Sequence, residues 1–252
     1  GLMLAFGAVA DRYGRRRVML VGLALLAVAS LATAFVATAE QLIAVRVAMG
    51  VAAAMTTPGS AGLAFRLFEQ DRLRVSAMTL ISTVGLVGLA IGPTLGGFVL
   101  AVAPWQVLLL VNVPVAVFAM VGVRFGIAAD SASERHRDPI DIAGAAFGTA
   151  TIVFALLAPT MFVEEGSASW APWATTVAAV VGGAAFVLRQ RRARHPLLDL
   201  ALVAHPLVSS GLAFKAAAGL ATAGRGYLVT LQLQLDWGWT PVLASIGMLP
   251  QV

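Results

Sequence analysis

The chain has 252 residues, 60% of them hydrophobic and only 12% charged, with a mean hydropathy of +0.90. A soluble domain carries about a quarter charged residues, so the composition excludes one and reads as an integral membrane protein. The net charge of +5 does not point to nucleic acid, because the basic residues follow the loops between apolar runs. Cysteine is absent, which leaves the redox compartment open.

Gly1–Ala10 reads as the tail of a span, and Asp11–Arg17 (DRYGRRR) as a short charged loop. Apolar runs follow at about 18–37, 41–63, 76–103, 107–123, 142–163, 172–188 and 207–233, and another opens near 242. Most come close to the roughly 20 residues a helix needs to cross the hydrocarbon core. Only helices and closed barrels satisfy their backbone there. The expectation is therefore an all-α integral membrane bundle with seven complete spans and two partial ones. With no initiator Met or signal peptide, and apolar segments cut at both ends, the sequence reads as an internal segment of a longer protein.

Orientation follows from the loops. Arg12, Arg15, Arg16 and Arg17 lie in the first. Arg66, Arg72 and Arg74 lie in the third, Arg124, Arg135 and Arg137 in the fifth, and Arg189, Arg191, Arg192 and Arg194 in the seventh. The alternate loops hold no Lys or Arg, so fourteen of the seventeen basic residues sit on one side, which the positive-inside rule makes cytoplasmic. All five tryptophans (Trp105, Trp170, Trp173, Trp237, Trp239) fall at the opposite interface, where an aromatic belt belongs. Two stretches, Phe125–Asp141 and Arg189–His205, read as cytoplasmic linkers.

Within the 76–103 run, Gly85, Gly88, Gly92 and Gly96 fall at steps of three, four and four, lining one helix face with no side chains. Each glycine costs a helix about 1 kcal/mol against alanine, and a proline about 3, so the stripe predicts a close-packed neighbour against Gly88, Gly92 and Gly96. Pro93 predicts a bend within the helix.

Several of these segments resemble motifs of the major facilitator superfamily. Gly7-Ala-Val-Ala-Asp11-Arg12-Tyr-Gly14-Arg15-Arg-Arg is similar to its motif A, with Val9 where leucine is usual. The physical logic is a tight turn: Gly14 permits the reversal, and Asp11 caps a helix end or pairs with arginine. Leu42–Gly50 resembles motif B, with Met49 where glutamine is frequent. The stretch Gly88-Leu-Ala-Ile-Gly92-Pro93-Thr-Leu-Gly96-Gly97 resembles motif C, the signature of antiporters. Trp105–Pro114, Arg194-His195-Pro196-Leu197-Leu198 and Leu231–Pro250 resemble segments of the fourteen-span drug:proton antiporters. In the first of these, Gln106 and Val107 replace the usual arginine and tryptophan. The runs at 142–163 and 172–188 stand where that branch carries its two extra helices.

The resemblance implies a domain plan: residues 1–126 as an amino-terminal bundle lacking its first span, 127–206 as a linker region with two extra spans, and 207–252 as the start of a carboxy-terminal bundle. It implies a gating loop of Gly7, Asp11, Arg12, Gly14 and Arg15, and an antiporter helix carrying Gly88, Gly92, Pro93, Gly96 and Gly97. Arg46 is implied as a proton-coupling residue facing a central cavity. An arginine snorkelling to the outer interface, about 8 Å away, is the alternative. Asn112, Lys215 and Arg225 are candidates for the substrate pathway. Lys215 lies about 12 Å in from the cytoplasmic end, so either an anionic substrate or snorkelling accounts for it.

No Asp or Glu falls inside a complete apolar run, and the carboxylate usual in the family sits in a first span that this sequence lacks. No nucleophilic triad, metal cluster or phosphate loop is apparent, so no enzyme, cofactor or metal is expected. The resemblance implies proton-coupled efflux of drugs or other hydrophobic compounds across the bacterial cytoplasmic membrane by a monomer. Its partners would be lipid, a small molecule and protons. The alternatives are a symporter for a polar or anionic solute and a sensor or scaffold that does not transport.

Overall fold

The structure is a computed structural model and describes residues 2–68, 70–130 and 139–248. All its regular elements, among the described residues, are helical. They are α1 (Leu2–Tyr13), α2 (Arg15–Ala32) tightening into a 3-10 turn at Thr33–Phe35, α3 (Ala39–Leu67), α4 (Asp71–Val102), α5 (Gln106–Leu110) and α6 (Asn112–Gly126). After these come α7 (Ile142–Glu165), α8 (Trp170–Arg192), the short α9 (Leu200–Ala204), α10 (Pro206–Leu231) ending in a π turn at Gln232–Asp236, and α11 (Pro241–Met248). Among the described residues, seven stretches are long and apolar enough to cross a membrane. They match the seven expected spans in order.

Local chemistry explains the boundaries. Thr38 and Gln41 form a reciprocal capping box at the start of α3, satisfying amides the helix cannot. Asp141 caps α7 and Ser169 caps α8. The expected run 107–123 is two helices broken at Val111. Pro114 has no N–H for the carbonyl of Leu110, and its ring crowds that carbonyl, so α5 stops there. Pro58, Pro93 and Pro159 instead lie inside continuous helices, and α4 is one helix of 32 residues. The end of α8 carries Arg189, Arg191 and Arg192 in its last turn. Cations favour that end of the helix dipole, so α8 outruns the apolar stretch by four residues.

The described chain clusters into two compact units. The first comprises residues 1–23, 50–62 and 122–205. In it α1 packs on α7, and α7 packs along α8. That hairpin is close: a Cβ at Gly148 would lie 3.1 Å from the Phe186 ring, and one at Gly182 3.0 Å from Thr151 Oγ1. Bare backbone faces of this kind are how membrane helices approach one another. At one end of the hairpin Trp173 meets Phe162 edge to face at 5.2 Å and donates its Nε1–H to the Ser167 carbonyl at 3.0 Å. Trp170 opens α8 and the three arginines close it, so the aromatic and basic ends are separated by about 30 Å.

The second unit comprises residues 24–49, 63–121 and 206–252. Here α5 packs on the 3-10 turn and on α4, while α11 packs on α4, α10 and the π turn. Its core is built of Ala27, Ala29, Leu63, Leu109, Ala116, Leu233 and Ala244. Arg72 and Arg74 sit in the first turn of α4 and Trp105 lies just past its end. Along α4 and α8, then, arginines and tryptophans occupy opposite helix ends, as the expected topology requires. Arg135, Arg137 and Pro250 lie outside the described residues, as does the side chain of Arg66. Much of the outer surface is apolar, including Val163 at 87% and Phe118 at 78% exposed, which suits hydrocarbon and not water.

Candidate functional site

The α1–α2 junction is the most developed polar site of the first unit. The chain turns at Gly14, whose φ is +108°, a conformation open to glycine and unfavourable to other residues. Gly14 is buried, and a Cβ there would strike the carboxylate of Asp130. That carboxylate is the reason for the tight fit. Asp130 Oδ1 accepts from the Arg16 amide at 3.2 Å and Oδ2 from the Arg17 amide at 3.1 Å. Two otherwise orphaned amides at the positive end of α2 are thereby satisfied by a negative group.

The reciprocal bond runs the other way. Arg16 donates from Nε to the Val123 carbonyl at 3.3 Å and from Nη2 to the Arg124 carbonyl at 2.6 Å. These carbonyls belong to the last turn of α6, where cations are favoured. Each helix end is thus closed by a side chain from the other side of the junction. Asp11 pairs with Arg15 at 2.8 Å within one turn, and the Arg15 guanidinium lies over the bare backbone of Gly62. Arg12 stacks over Tyr13 at 5.8 Å. A cavity of about 560 Å³ opens beside this junction, with Gly7, Asp11 and Arg12 on one wall and residues 139–141 and 194–197 on another. The structure therefore brings the five expected gating-loop residues together. Gly7 sits against Pro58, whose Cβ would be 4.0 Å from a Cβ added to it.

The other expected residues lie apart, in the second unit. On α4 the described residues supply a neighbour at one of the three glycines expected to have one, Gly88, Gly92 and Gly96. A Cβ at Gly96 would lie 3.6 Å from Leu108 Cδ2, but at Gly85, Gly88 and Gly92 no described atom comes within 4 Å. Among the described helices α5 meets this face of α4 at Gly96, and the rest of the stripe is open. Gly97 is buried and Pro93 exposed. Arg46 on α3 is exposed and is not enclosed by the described helices. Asn112 is the half-buried first residue of α6, and Lys215 and Arg225 are exposed along α10.

Sequence reasoning missed four residues that hold this region together. Arg16 reads only as one more topogenic charge and Asp130 only as part of a polar linker. Asp141 and Gln190, both buried, were hidden in segments of the same kind. Asp141 alone left a local signal, an acidic residue directly before an apolar helical run.

A family model described as Major Facilitator Superfamily matches residues 1–140. The chain belongs to that superfamily. The methyl viologen resistance protein SmvA of Salmonella typhimurium is 29% identical over 99% of this chain and 50% of its own length. The multidrug efflux pump LfrA of Mycolicibacterium smegmatis is 32% identical over 99% and 49%, and a lincomycin resistance protein of Streptomyces lincolnensis 28% identical over 99% and 51%. The chain spans about half the length of the curated relatives it matches. In this major facilitator chain the bonds of the α1–α2 junction join helix ends to side chains.

Proposed function

We propose that the whole protein exports drugs or other hydrophobic and amphiphilic small molecules across the bacterial cytoplasmic membrane in exchange for protons, as a monomer. The observation that carries this reading is the match of nearly the entire chain, extra spans included, to proteins named for multidrug efflux and for methyl viologen and lincomycin resistance. In this reading residues 1–126 are an amino-terminal bundle, 127–206 a linker region and 207–252 the start of the second bundle. Gly7, Asp11, Arg12, Gly14 and Arg15 gate the cytoplasmic side, and the Gly88–Gly97 stretch of α4 sets antiport. Arg46 tunes the proton affinity of a carboxylate elsewhere in the protein, since a nearby fixed cation lowers a carboxylate pKa by about one to three units.

The test is export of a panel of lipophilic dyes by the whole protein in everted vesicles, with and without an imposed proton gradient. Gradient-dependent movement of at least one dye against its concentration is expected. Uptake of a polar solute together with protons would favour the symporter instead, and no transport of any kind would favour the scaffold. Lys215 and Arg225, two cations on a span otherwise apolar, favour a second reading in which the substrate bears an anionic group. In that case Lys215→Ala lowers export of anionic dyes and spares cationic ones.

A further inference from the structure

The polar cluster where α7 and α8 meet the loop beyond α8 has no part in the reading above. Asp141 is only 6% exposed, although its segment reads as a solvated linker. Its Oδ1 accepts from the Gly144 amide at 3.0 Å, capping α7, and from Arg189 Nε at 2.9 Å. Its Oδ2 accepts from Gln190 Nε2 at 3.3 Å. Gln190, 3% exposed, carries the connection onward, because its Oε1 accepts from the Leu198 amide at 3.1 Å. One carboxylate thereby fastens the start of α7, the end of α8 and the loop from Arg194 to Leu198. There is no slack: a Cβ at Gly144 would fall 2.5 Å from Gln190 Nε2. A buried charge is costly unless all its partners are in place, so the cluster holds as a unit or not at all.

What this clamp holds is a wall of the cavity beside the gating loop. The loop from Arg194 to Leu197 and the segment ending at Asp141 face Gly7, Asp11 and Arg12 of α1 across about 560 Å³, and α1 also packs directly on α7. We propose that Asp141 is a positioning residue of the transport cycle. Acting through Gln190 and the Arg194–Leu198 loop, it holds the α7–α8 hairpin against α1, so that hairpin and gating loop move as one body. The two extra spans then serve the gate and are not passengers in the membrane. This inference rests on the gating reading given under Proposed function.

The experiment uses the whole transporter in everted vesicles, with Ala8→Cys on the cavity wall as sole cysteine and a water-soluble maleimide as probe. Asp141→Asn and Gln190→Leu are compared with this background. The second variant cuts the tie to the loop while leaving the α7 cap and the Arg189 pair intact. Both are expected to lower the maximal export rate at least tenfold, with the apparent KM and the membrane content within twofold. Both should raise the labelling rate at least threefold. Combining Asp141→Asn with Gln190→Glu should restore rate and labelling to within twofold, because the introduced amide donates to the introduced carboxylate, which still accepts from Leu198. Unchanged labelling, or raised labelling with normal export, overturns the inference. So does a fall in export that merely tracks membrane content. If Gly14→Ala exports normally, the gating reading fails and this inference with it, even where Asp141→Asn alters labelling.

Discussion

Gly14→Ala separates the turn geometry from a loosely solvated basic loop. Alanine at φ +108° costs about 1–2 kcal/mol from its Cβ against the backbone. The same Cβ would occupy the place of the Asp130 carboxylate. The carboxylate must therefore leave the Arg16 and Arg17 amides, and losing a helix cap costs about 1 kcal/mol. The single variant should then lose about 2–3 kcal/mol. Asp130→Ala alone should lose about 1 kcal/mol. In the double variant the cap is already gone and there is nothing to displace, so it should be no less stable than Gly14→Ala alone. The coupling between the two sites is the whole cap, about 1 kcal/mol, within the range that contacting residues show. Denaturant unfolding of the four proteins in mixed micelles measures it. Losses that add to within about 0.3 kcal/mol would show that Gly14 and Asp130 do not meet, and a Gly14→Ala cost below about 0.5 kcal/mol would refute the left-handed turn itself.

Along α4, Gly96→Leu should cost about 1–3 kcal/mol by forcing side-chain bulk onto Leu108, whereas Gly88→Ala, in open space, should gain up to about 1 kcal/mol of helix propensity. The same unfolding assay reads both, and a destabilising Gly88→Ala would mean that a neighbour covers this face. Trp173→Phe keeps the edge-to-face contact with Phe162 but loses the bond to the Ser167 carbonyl, so a loss of about 1 kcal/mol is expected; a loss above about 3 kcal/mol would mean the ring packing was broken as well. Arg46→Ala should abolish gradient-driven export with the protein still folded and inserted, and Arg46→Lys should retain partial activity if charge alone matters. Normal proton-driven export by Arg46→Ala would support snorkelling in its place.

The spans were legible in the sequence because hydrocarbon imposes one length and one composition on every helix that crosses it. The turn at Gly14 was legible because a single residue type meets its requirement. What was not legible lies between segments far apart in sequence. Asp130 reaches Arg16 across 114 residues, and Asp141 reaches Gln190 across 49. In each case one partner sits among arginines that the topology rule already explains, so composition supplies no reason to look for a second role. The glycine stripe shows the limit from the other side. Its spacing is a property of α4 alone, whereas the contact it predicts requires a second helix, and α5 is short enough to reach only Gly96. The break at Val111 was available in principle from Pro114, but Pro58, Pro93 and Pro159 carry the same chemistry and leave their helices continuous. A proline's effect depends on what surrounds the freed carbonyl.

In the gating reading proposed above, the strength of the α1–α2 junction bears on how a gate there would be driven. The half-exposed Asp11–Arg15 pair is worth about 0.3–0.5 kcal/mol, the Asp130 cap about 1, and each Arg16 bond to a carbonyl about 0.5–1.5. Together these bonds amount to about 3 kcal/mol, or about 10²-fold in an equilibrium that breaks them all. An apolar interface of buried leucines would hold far harder, at roughly 1.5–3 kcal/mol for each side chain. A ligand or proton reverses a two-state balance only by as much as it prefers one state. Moving a carboxylate pKa by two units is worth about 2.7 kcal/mol, which falls within the shift proposed for an acid beside Arg46. In the proposed reading one such proton, at about 2.7 kcal/mol against about 3, would bring a junction made of helix-end hydrogen bonds close to balance, and would fall well short of opening one packed with several buried leucines.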